Sequence, residues 1–508
     1  MSTSIFEIIG PVMVGPSSSH TAGMARIGRM AHNIAGEDLK DIHIRFSPML
    51  RNTYHGHRSD VALIGGIIGI REDDIRIKDS MVLAKQKGIE IEIGFLPQHM
   101  YPQNTVWLEL ECRSGRSVSI LGTSIGGGSI IINKIDDIFI QLAPEQWHIL
   151  IWSKKEPALK IEGALLQRGK KEGEFITCIS LPDKPSKKTL EQIQKEKDIH
   201  TIRLLEPILA YGSTIWEQAC NSCAEICRKS KEDRITFSDI AICYEMERSG
   251  FSKETICRHM SLLYQKMKDS AAEATEDSHH LLYGLASGTD GKSLRKAVEE
   301  GKTISGEIIP MAVSIALEIM EYNASMGVIV AAPTAGSSGI VPGCFLTVQK
   351  KYGFSDKEIV KALFVSGLIG VIMSHRHVSF SGSVGGCQGE IGVSAAITAA
   401  GLVSLFTDDT EQIVHAMAIC LKNLLGLVCD PIAGPIEIPC IKRNAVGTAN
   451  AFISADMAMA GIRSFIPPDE VIDALVDVEK RLPQELKCAT SGGLASTPTA
   501  KAIRKRID

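Results

Sequence analysis

The sequence has no large excess of charge of one sign. Its 55 basic and 59 acidic residues leave a formal net charge of -4 over 508 residues. Nucleic acids and acidic membrane surfaces select strongly basic proteins, and no long basic run reverses this balance. The lysine-rich stretch 184–197 also contains glutamates, so it predicts a solvated helix. We therefore expect no nucleic-acid partner.

The sequence also lacks an uninterrupted apolar run of membrane-spanning length. A helix that crosses a bilayer needs about 20 apolar residues, whereas the most apolar run, 362–374, is shorter and contains glycine. The first residues, Met1 to Glu7, do not place a basic region before an apolar one, so we expect no signal peptide. These features predict a cytoplasmic protein with no membrane partner.

The length and the cysteine content limit the possible folds. A chain of 508 residues is too long for one hydrophobic core, so we expect two to four domains. With 44% hydrophobic and 22% charged residues the composition is that of a globular protein. Disulfides are rare in the cytoplasm, so the 13 cysteines favour free thiols and metal ligands.

Three of the cysteines stand next to glycine or proline, in Gly-Gly-Cys387-Gln, Val-Cys429-Asp-Pro and Ile-Pro-Cys440-Ile. An iron–sulfur cluster needs thiolates from separate turns, and three cysteines leave one iron with an open position. Such an iron can polarise a substrate oxygen as a Lewis acid. These residues alone are also compatible with three unrelated cysteines of the hydrophobic core.

The stretch Pro16-Ser17-Ser18-Ser19-His20-Thr21 precedes a run with helical spacing that extends to Ala35. Hydroxyl groups and free backbone N–H groups at a helix start favour an anion such as a carboxylate. An ordinary serine cap beside a histidine would have the same sequence.

A second histidine, His57, follows Gly56 and lies three residues before Asp60. This arrangement is that of a general base with an orienting carboxylate, although a surface histidine is the common alternative. Further along, Asn323 and the hydroxyl residues Thr334, Ser337 and Ser338 interrupt an apolar background. Polar groups between buried helices need partners, which either a substrate or the next helix start supplies.

These stretches resemble the iron–sulfur L-serine dehydratases (L-serine ammonia-lyases). The resemblance rests on Gly-Gly-Cys387-Gln, on residues 421–434, on residues 437–445 and on the cysteine intervals of 42 and 11 residues. It extends to the serine run, the His57 stretch and the Thr334 loop, and so covers nearly the whole chain.

The resemblance implies a reaction and a set of site residues. The reaction is β-elimination from L-serine to give pyruvate and ammonia, with a [4Fe-4S] cluster as cofactor and a small amino acid as substrate. His57 would be the catalytic base, and the cluster ligands would be Cys387, Cys429 and Cys440. The substrate-binding residues would be Ser17, Ser18, Ser19, His20, Thr21, Asn323, Thr334, Ser337, Ser338 and His377.

The chain departs from the family pattern around Met49, at Arg58, at His377, which replaces an asparagine, and at Val384, which replaces a glutamate. These changes leave two alternatives: the same cluster chemistry on another β-substituted amino acid, or a non-catalytic cluster-binding protein. Cys488 is a candidate fourth ligand, although we expect water or substrate at that position. The glycine-rich stretch 124–129 would also suit a pyridoxal-phosphate enzyme, but we identify no lysine for its Schiff base.

The predicted architecture is multidomain α/β plus all-α. The resemblance implies an α/β domain of the β-chain type at 1–146 and a helical cluster-binding domain of the α-chain type at 208–508. Between them, 147–207 resembles a degenerate ferredoxin-like (ACT-like) domain, with a predicted helix at 157–168. A homodimer is expected from the family. Cys220, Cys223 and Cys227 have helical spacing, which predicts a buried helix stripe.

Overall fold

The structure is a computed structural model that describes residues 3–507 except 52, 98–100, 103, 127, 144–145, 158, 160, 162, 172, 182–183, 197, 209–219, 277–278, 435 and 490. The chain divides into two compact units. The sheet unit is Ser19–Tyr211, and the helical unit combines Met1–Ser18 with Gly212–Asp508.

The N-terminal segment belongs to the helical unit. It forms helix α1 (Ile5–Ile8), which begins with a capping box between Ser4 and Glu7, and strand β1 (Val12–Val14). Strand β1 pairs in antiparallel fashion with strand β12 (Val328–Val330). The first strand of the chain is therefore completed by a distant part of the sequence, and the helical unit is not wholly helical as predicted.

The sheet unit contains a six-stranded sheet in the order β3-β2-β4-β5-β6-β7, in which only β2 and β3 run parallel. Its strands are β2 (Leu39–Phe46), β3 (Glu90–Phe95), β4 (Thr105–Cys112), β5 (Ser117–Gly126), β6 (Ser129–Ile135) and β7 (Ile138–Leu142). The sequence predicts strands at 41–46, 90–95, 105–112, 117–123 and 130–132, which correspond to β2 to β6, whereas β7 was not predicted. The glycine-rich stretch 124–129 forms the β5–β6 connection.

Helices α2 (Gly23–Ala35) and α3 (Ser59–Ile67) of this unit cross at very short distance, and α4 (Ser80–Gln86) follows. A Cβ atom on Gly66 would lie 2.0 Å from the Ala25 carbonyl oxygen, and one on Gly28 would lie 2.2 Å from that of Leu63. Only glycine permits this approach of two backbones. The crossing therefore fixes the distance between the starts of the two helices.

A four-stranded antiparallel sheet completes the sheet unit, in the order β11-β8-β10-β9. Its elements are β8 (Trp147–Ser153), β9 (Leu165–Lys171), β10 (Glu174–Leu181), helix α5 (Lys187–Gln194) and β11 (Ile199–Leu205). The helix predicted at 157–168 is wrong, because 165–171 pairs along its whole length with β10. Sheet pairing here overrides the local helical spacing.

The rest of the helical unit consists mainly of helices around one large apolar core. They are α6 (Cys223–Asp233), α7 (Phe237–Ser249), α8 (Lys253–Glu276), α9 (Asp290–Glu299), α10 (Ile308–Ala324), α11 (Ile340–Tyr352), α12 (Asp356–His375), α13 (Gly382–Gly385), α14 (Val393–Ser404), α15 (Thr410–Lys422), α16 (Cys440–Met459), α17 (Pro468–Arg481) and α18 (Pro498–Ile507).

Two features of this core test the sequence predictions. Cys220, Cys223 and Cys227 are buried within it, as predicted, but the helix begins at Cys223, so Cys220 lies in the preceding turn and not on the helix. Helix α12 extends beyond the apolar run 362–374 and is long and apolar enough to cross a membrane by length and composition, but 78% of its apolar window is buried inside the protein. That degree of burial is typical of a core helix.

Candidate active site

The sheet unit places two histidines of the predicted site against each other. The rings of His20 and His57 stack with centroids 4.4 Å apart and an interplanar angle of 19°. The Thr21 hydroxyl donates a hydrogen bond of 2.8 Å to the backbone carbonyl of His57. The turn before α2 and the turn before α3 are thus joined at one point, beyond the close crossing of the two helices.

Both rings are held in the neutral form. Burial lowers the pKa of His20 to about 4. Burial lowers the pKa of His57 well below its usual value, and the charge that His20 would carry lowers it further. A hydrogen bond with the Thr53 backbone acts in the opposite direction. The buried Nδ1 atom of His57 has no hydrogen-bond partner among the described residues. A neutral imidazole with a free ring nitrogen can accept a proton.

The predicted carboxylate partner of His57 is wrong. The Asp60 carboxylate lies 3.1 Å from Nδ1 of His55, and this contact raises the pKa of His55. Arg58 has a left-handed backbone with φ of 55°, directly before α3 begins. The turn therefore brings His55 to the carboxylate, and His57 faces His20 instead.

The serine run does not form the simple helix start that its sequence predicts. Ser18–Ala22 is a π-helical turn that continues into α2, so the helical backbone begins three residues earlier than the spacing indicates. Ser17, Ser18 and Thr21 are buried, whereas the side chain of Ser19 lies outside the described ones. Single π-helical turns occur often at functional sites.

Two further buried polar side chains of the sheet unit were not predicted from the sequence. Ser47 follows β2 and Asn104 precedes β4, where the Ser47 N–H donates to the Thr105 carbonyl at 2.8 Å. The buried Ser47 Oγ and Asn104 Oδ1 have no hydrogen-bond partner among the residues described. No local motif marks them, because strand pairing alone brings these two positions together.

In the helical unit, Cys387 and Cys429 come together with a carboxylate. The two sulfur atoms and a carboxylate oxygen of Glu390 all lie within 4.8 Å of one another. Cys387 follows the short helix α13 and begins the π-helical turn Gln388–Gly392. Cys429 lies in an extended segment whose N–H donates to the Leu486 carbonyl at 2.8 Å. Two separate segments thus deliver the thiols to one place.

Glu390 was not predicted from the sequence. It stands three residues after Cys387, a spacing that would put the two side chains on the same side of an α-helix, and this was the available signal. Burial among protein atoms raises the pKa of the Glu390 carboxyl group to about 7. A hydrogen bond with Thr334 and the positive charge of Arg443 act in the opposite direction. The carboxyl group can therefore be neutral or charged near neutral pH.

A buried basic group stands beside the thiols. Arg443 Nη1 lies 3.4 Å from the Cys387 sulfur and 2.6 Å from the Val428 carbonyl oxygen, and Nη2 donates to Asp430 Oδ1 at 2.7 Å. The guanidinium group holds the ends of the Cys387 and Cys429 segments together. A positive charge at this distance favours thiolates over thiols.

The other two cysteines approach the same place. Cys440 is the first residue of α16. Burial raises the pKa of the Cys440 thiol, and the charge of the nearby Cys387 raises it further. It is not part of the group within 4.8 Å. The Cys488 N–H donates to the Cys429 carbonyl at 2.7 Å, and the two thiols hydrogen-bond each other.

The polar loop after β12 mainly satisfies its own hydrogen bonds. The Ser337 hydroxyl donates to the carbonyls of Ala332 and Thr334 at 3.2 Å and lies 3.1 Å from the Thr334 hydroxyl. The Ser338 hydroxyl faces the Met320 sulfur at 3.5 Å. Asn323 donates from Nδ2 to the Ala335 carbonyl at 3.0 Å. The loop is therefore rigidly held.

Three of the positions that depart from the family pattern, Met49, His377 and Val384, are accessible to solvent, whereas Arg58 is half-buried. Met49 is 49% exposed and Val384 is 45% exposed. His377 is exposed, with a left-handed φ of 67° directly after α12. Arg51 packs over the Phe95 ring, at 4.7 Å from its centroid. The side chains of Met49, His377, Val384 and Arg51 do not belong to the buried groups described above.

Comparison with known proteins gives two family matches. The family described as "Serine dehydratase alpha chain" matches residues 191–495, and the family described as "Serine dehydratase beta chain" matches residues 4–104. The first match covers more than half of the chain and includes all four cysteines of the site.

Individual relatives agree. A protein named "Probable L-serine dehydratase, alpha chain" from Bacillus subtilis is 42% identical over 283 residues, which are 56% of this chain and 93% of that protein. The "L-serine dehydratase, alpha chain" of Peptoniphilus asaccharolyticus is 38% identical over 56% of this chain and 97% of its own length. "L-serine dehydratase TdcG" of Escherichia coli is 27% identical over 97% of this chain and 98% of its own length. The chain therefore belongs to the serine dehydratase family, with the alpha-chain and beta-chain regions in one polypeptide.

Proposed function

We propose that the protein is an L-serine dehydratase, which converts L-serine to pyruvate and ammonia by β-elimination. The observation that carries the proposal is the meeting of the Cys387 and Cys429 thiols with Glu390, from separate segments of the helical unit, in a chain of the serine dehydratase family. Relatives named L-serine dehydratase match over nearly the full length.

The cofactor we propose is a [4Fe-4S] cluster held by Cys387, Cys429 and Cys440. The donor set fits: the thiols are free and come from separate turns, and Arg443 stands beside them. Gly382 leaves room, because a Cβ there would lie 3.1 Å from the Cys429 sulfur. When bound, such a cluster supplies a Lewis acid that assists departure of the substrate hydroxyl group. A hydrogen bond with Cys387 lowers the pKa of the Cys429 thiol, but a hydrogen bond with Cys488, burial and the charge of Glu390 together raise it well above its usual value. Metal binding displaces the thiol proton.

The chain's own residues supply the proton transfer. His57 is neutral and has a free Nδ1, so it accepts the α-proton of serine as the hydroxyl group leaves from the β-carbon. The aminoacrylate product takes up water and releases ammonia without further need of the protein. His20 is neutral near pH 7 because its pKa is about 4, so it contributes a hydrogen-bond donor to the substrate carboxylate and no positive charge.

The substrate-binding role of the remaining predicted residues belongs to the same proposal. Ser17, Ser18, Ser19 and Thr21 would hold the carboxylate with His20. Asn323 and Thr334 would line the amino-acid pocket, whereas the hydroxyls of Ser337 and Ser338 serve the loop itself. His377 is exposed, which makes it a candidate for a contact at the rim of the pocket and not for proton transfer.

We further propose that 147–207 is a degenerate ACT-like, ferredoxin-like domain with a spacer or dimerisation role, between domains at 1–146 and 208–508. The sheet order β11-β8-β10-β9 supports the topology, whereas the described part of 154–164 contains no helix. Free amino acids other than substrate should leave the serine saturation curve hyperbolic and unchanged. A cytoplasmic homodimer is the expected state, and analytical ultracentrifugation tests the dimer.

The decisive experiment is anaerobic purification, iron and sulfide analysis, and an assay of pyruvate release from a panel of β-hydroxy and β-thiol amino acids. We expect iron, sulfide and pyruvate from serine, with activity lost in Cys387→Ala and His57→Ala. Turnover of another amino acid alone would assign the protein to a different substrate. An intact cluster without any turnover would make it a binding protein, and a pyridoxal absorbance would exclude the cluster mechanism.

A further inference from the structure

The loop at Ala335 and Gly336 is fixed by two buried amides from different helices. Asn323, in the last turn of α10, donates from Nδ2 to the Ala335 carbonyl at 3.0 Å. Asn444, one turn into α16, donates from Nδ2 to the Gly336 carbonyl at 2.9 Å and to the Cys440 carbonyl at 3.1 Å. Both side chains are fully buried.

These contacts determine where the amide oxygens point. A flipped amide would set its oxygen against a carbonyl oxygen, so the assigned orientation is the one that the hydrogen bonds allow. In that orientation, Oδ1 of Asn323 and Oδ1 of Asn444 are buried acceptors without a hydrogen-bond partner among the described residues. A buried polar atom left unpaired is destabilising, so two such atoms beside one loop indicate a ligand with N–H donors.

The same loop faces the Glu390 carboxylate. A Cβ atom on Gly336 would lie 3.3 Å from Glu390 Oε1, and Thr334 hydrogen-bonds the carboxyl group. Glu390 remains partly accessible and forms no ion pair within the described part of the chain. The nearby Arg443 is already paired with Asp430 at 2.7 Å. Three acceptors therefore lie beside the loop: the two amide oxygens and a carboxyl oxygen of Glu390.

We propose that Glu390, Asn323 and Asn444 form the subsite that binds the α-ammonium group of the substrate. This inference rests on the proposed function and deepens it, because it names the groups that require an amino acid in place of a hydroxy acid or a simple carboxylic acid. An ammonium group has three N–H donors and no acceptor, which matches two amide oxygens and a carboxylate oxygen. These residues act as substrate-positioning groups that hold the α-carbon.

The test compares two ligands that cannot eliminate a β-hydroxyl group. L-Alanine and propionate share the carboxylate and the methyl group, and only alanine carries the ammonium group. Their dissociation constants are measured by isothermal titration calorimetry on the iron-loaded enzyme without oxygen, for wild type and for Glu390→Gln. The matched control is Glu321→Gln, a buried carboxylate in the same helical unit that accepts the Asp290 and Gly291 N–H groups.

We expect wild type to bind alanine at least tenfold more tightly than propionate. Glu390→Gln should reduce this preference by about tenfold, since a hydrogen bond to a charged group is lost, while the dissociation constant of propionate changes less than twofold. Glu321→Gln should keep the wild-type preference. If Glu390→Gln weakened the binding of alanine and propionate equally, or if wild type showed no preference for alanine, the proposed subsite would be refuted.

Two further measurements keep the conclusion independent of the variant. If Glu390→Gln does not retain iron, wild type is titrated with N,N-dimethyl-L-alanine instead. This ligand should bind at least tenfold more weakly than alanine, because two of the three N–H donors are removed. Equal binding of the two ligands would contradict the proposal. Potassium chloride alone is also titrated, and tight potassium binding that Glu390 controls without any change in ligand preference would assign the site to a free cation. Failure of wild type to release pyruvate from serine would instead refute the proposed function.

Discussion

The close crossing of α2 and α3 gives the sharpest prediction about the histidine pair. In Gly66→Ala, the new Cβ would lie 2.0 Å from the Ala25 carbonyl oxygen and 2.7 Å from the Arg29 nitrogen. Both atoms are backbone, so no side-chain rotation relieves the contact. The helices must separate by about 1 Å to restore an ordinary contact distance.

The expected loss of stability follows from two opposing contributions. Alanine in place of glycine favours a helix by about 1 kcal/mol, and an overpacked contact costs about 1–3 kcal/mol or more. Because the contact joins two backbones, the second contribution dominates, and we expect Gly66→Ala to be destabilised by about 1–2 kcal/mol. Calorimetric unfolding of the sheet unit should show a lower midpoint by several degrees.

The same separation should reduce turnover. His20 and His57 stand at the starts of the two helices with ring centroids 4.4 Å apart, and a misplacement of about 1 Å in an active site can cost a hundredfold in rate. We expect kcat for pyruvate release to fall at least tenfold at a temperature where the variant is folded.

The adjacent position provides the control. A Cβ on Gly65 meets only the side chains of Ile77 and Ser80, at 2.6 Å, and these can move. Gly65→Ala should therefore be more stable than Gly66→Ala by about 1 kcal/mol and retain most of its activity. If Gly66→Ala proved as stable and as active as Gly65→Ala, the crossing would not set the position of the histidines.

Three other predictions follow from the site. The pKa of His20 is about 4 in the folded chain and 6.5 in the unfolded one, so the unfolded state takes up the proton first as the pH falls. The free energy of unfolding should therefore decrease by up to about 3 kcal/mol between pH 6.5 and pH 4. Urea unfolding of His20→Phe should show a weaker pH dependence. Gly382→Ala places a Cβ 2.5 Å from Glu390 Oε2 and 3.1 Å from the Cys429 sulfur. The purified variant should therefore hold less than about half the wild-type iron while its circular dichroism is unchanged. Arg443→Gln removes the cation 3.4 Å from the Cys387 sulfur and should release iron to a chelator at least about tenfold faster, whereas unchanged release would assign Arg443 a role in packing alone.

Local sequence patterns predicted most of the secondary structure. The alternation of apolar residues in 90–95 and 105–112 gives the bounds of β3 and β4 as the structure has them. The spacing of Cys220, Cys223 and Cys227 correctly indicated core residues. These elements follow from the residues that they contain, so a single stretch of sequence carries enough information.

The elements that failed depend on partners elsewhere. Strand β9 pairs with β10, and β1 pairs with β12, so neither is determined by its own residues. The Asp60 carboxylate was predicted to orient His57, yet it binds His55. A left-handed turn at Arg58 decides between the two histidines, and the sequence around that position did not indicate it.

The π-helical turns explain why the motifs indicated the site more reliably than its geometry. Ser18–Ala22 precedes α2, and Gln388–Gly392 precedes α14. Each turn is wound more widely than the α-helix into which it leads, so α-helical spacing does not give the directions of the side chains within it. His20 and Glu390 lie inside these two turns. The residue types in the serine run and around Cys387 could therefore be interpreted from sequence, whereas the meeting of Glu390 with two thiols and an amide-held loop required the fold.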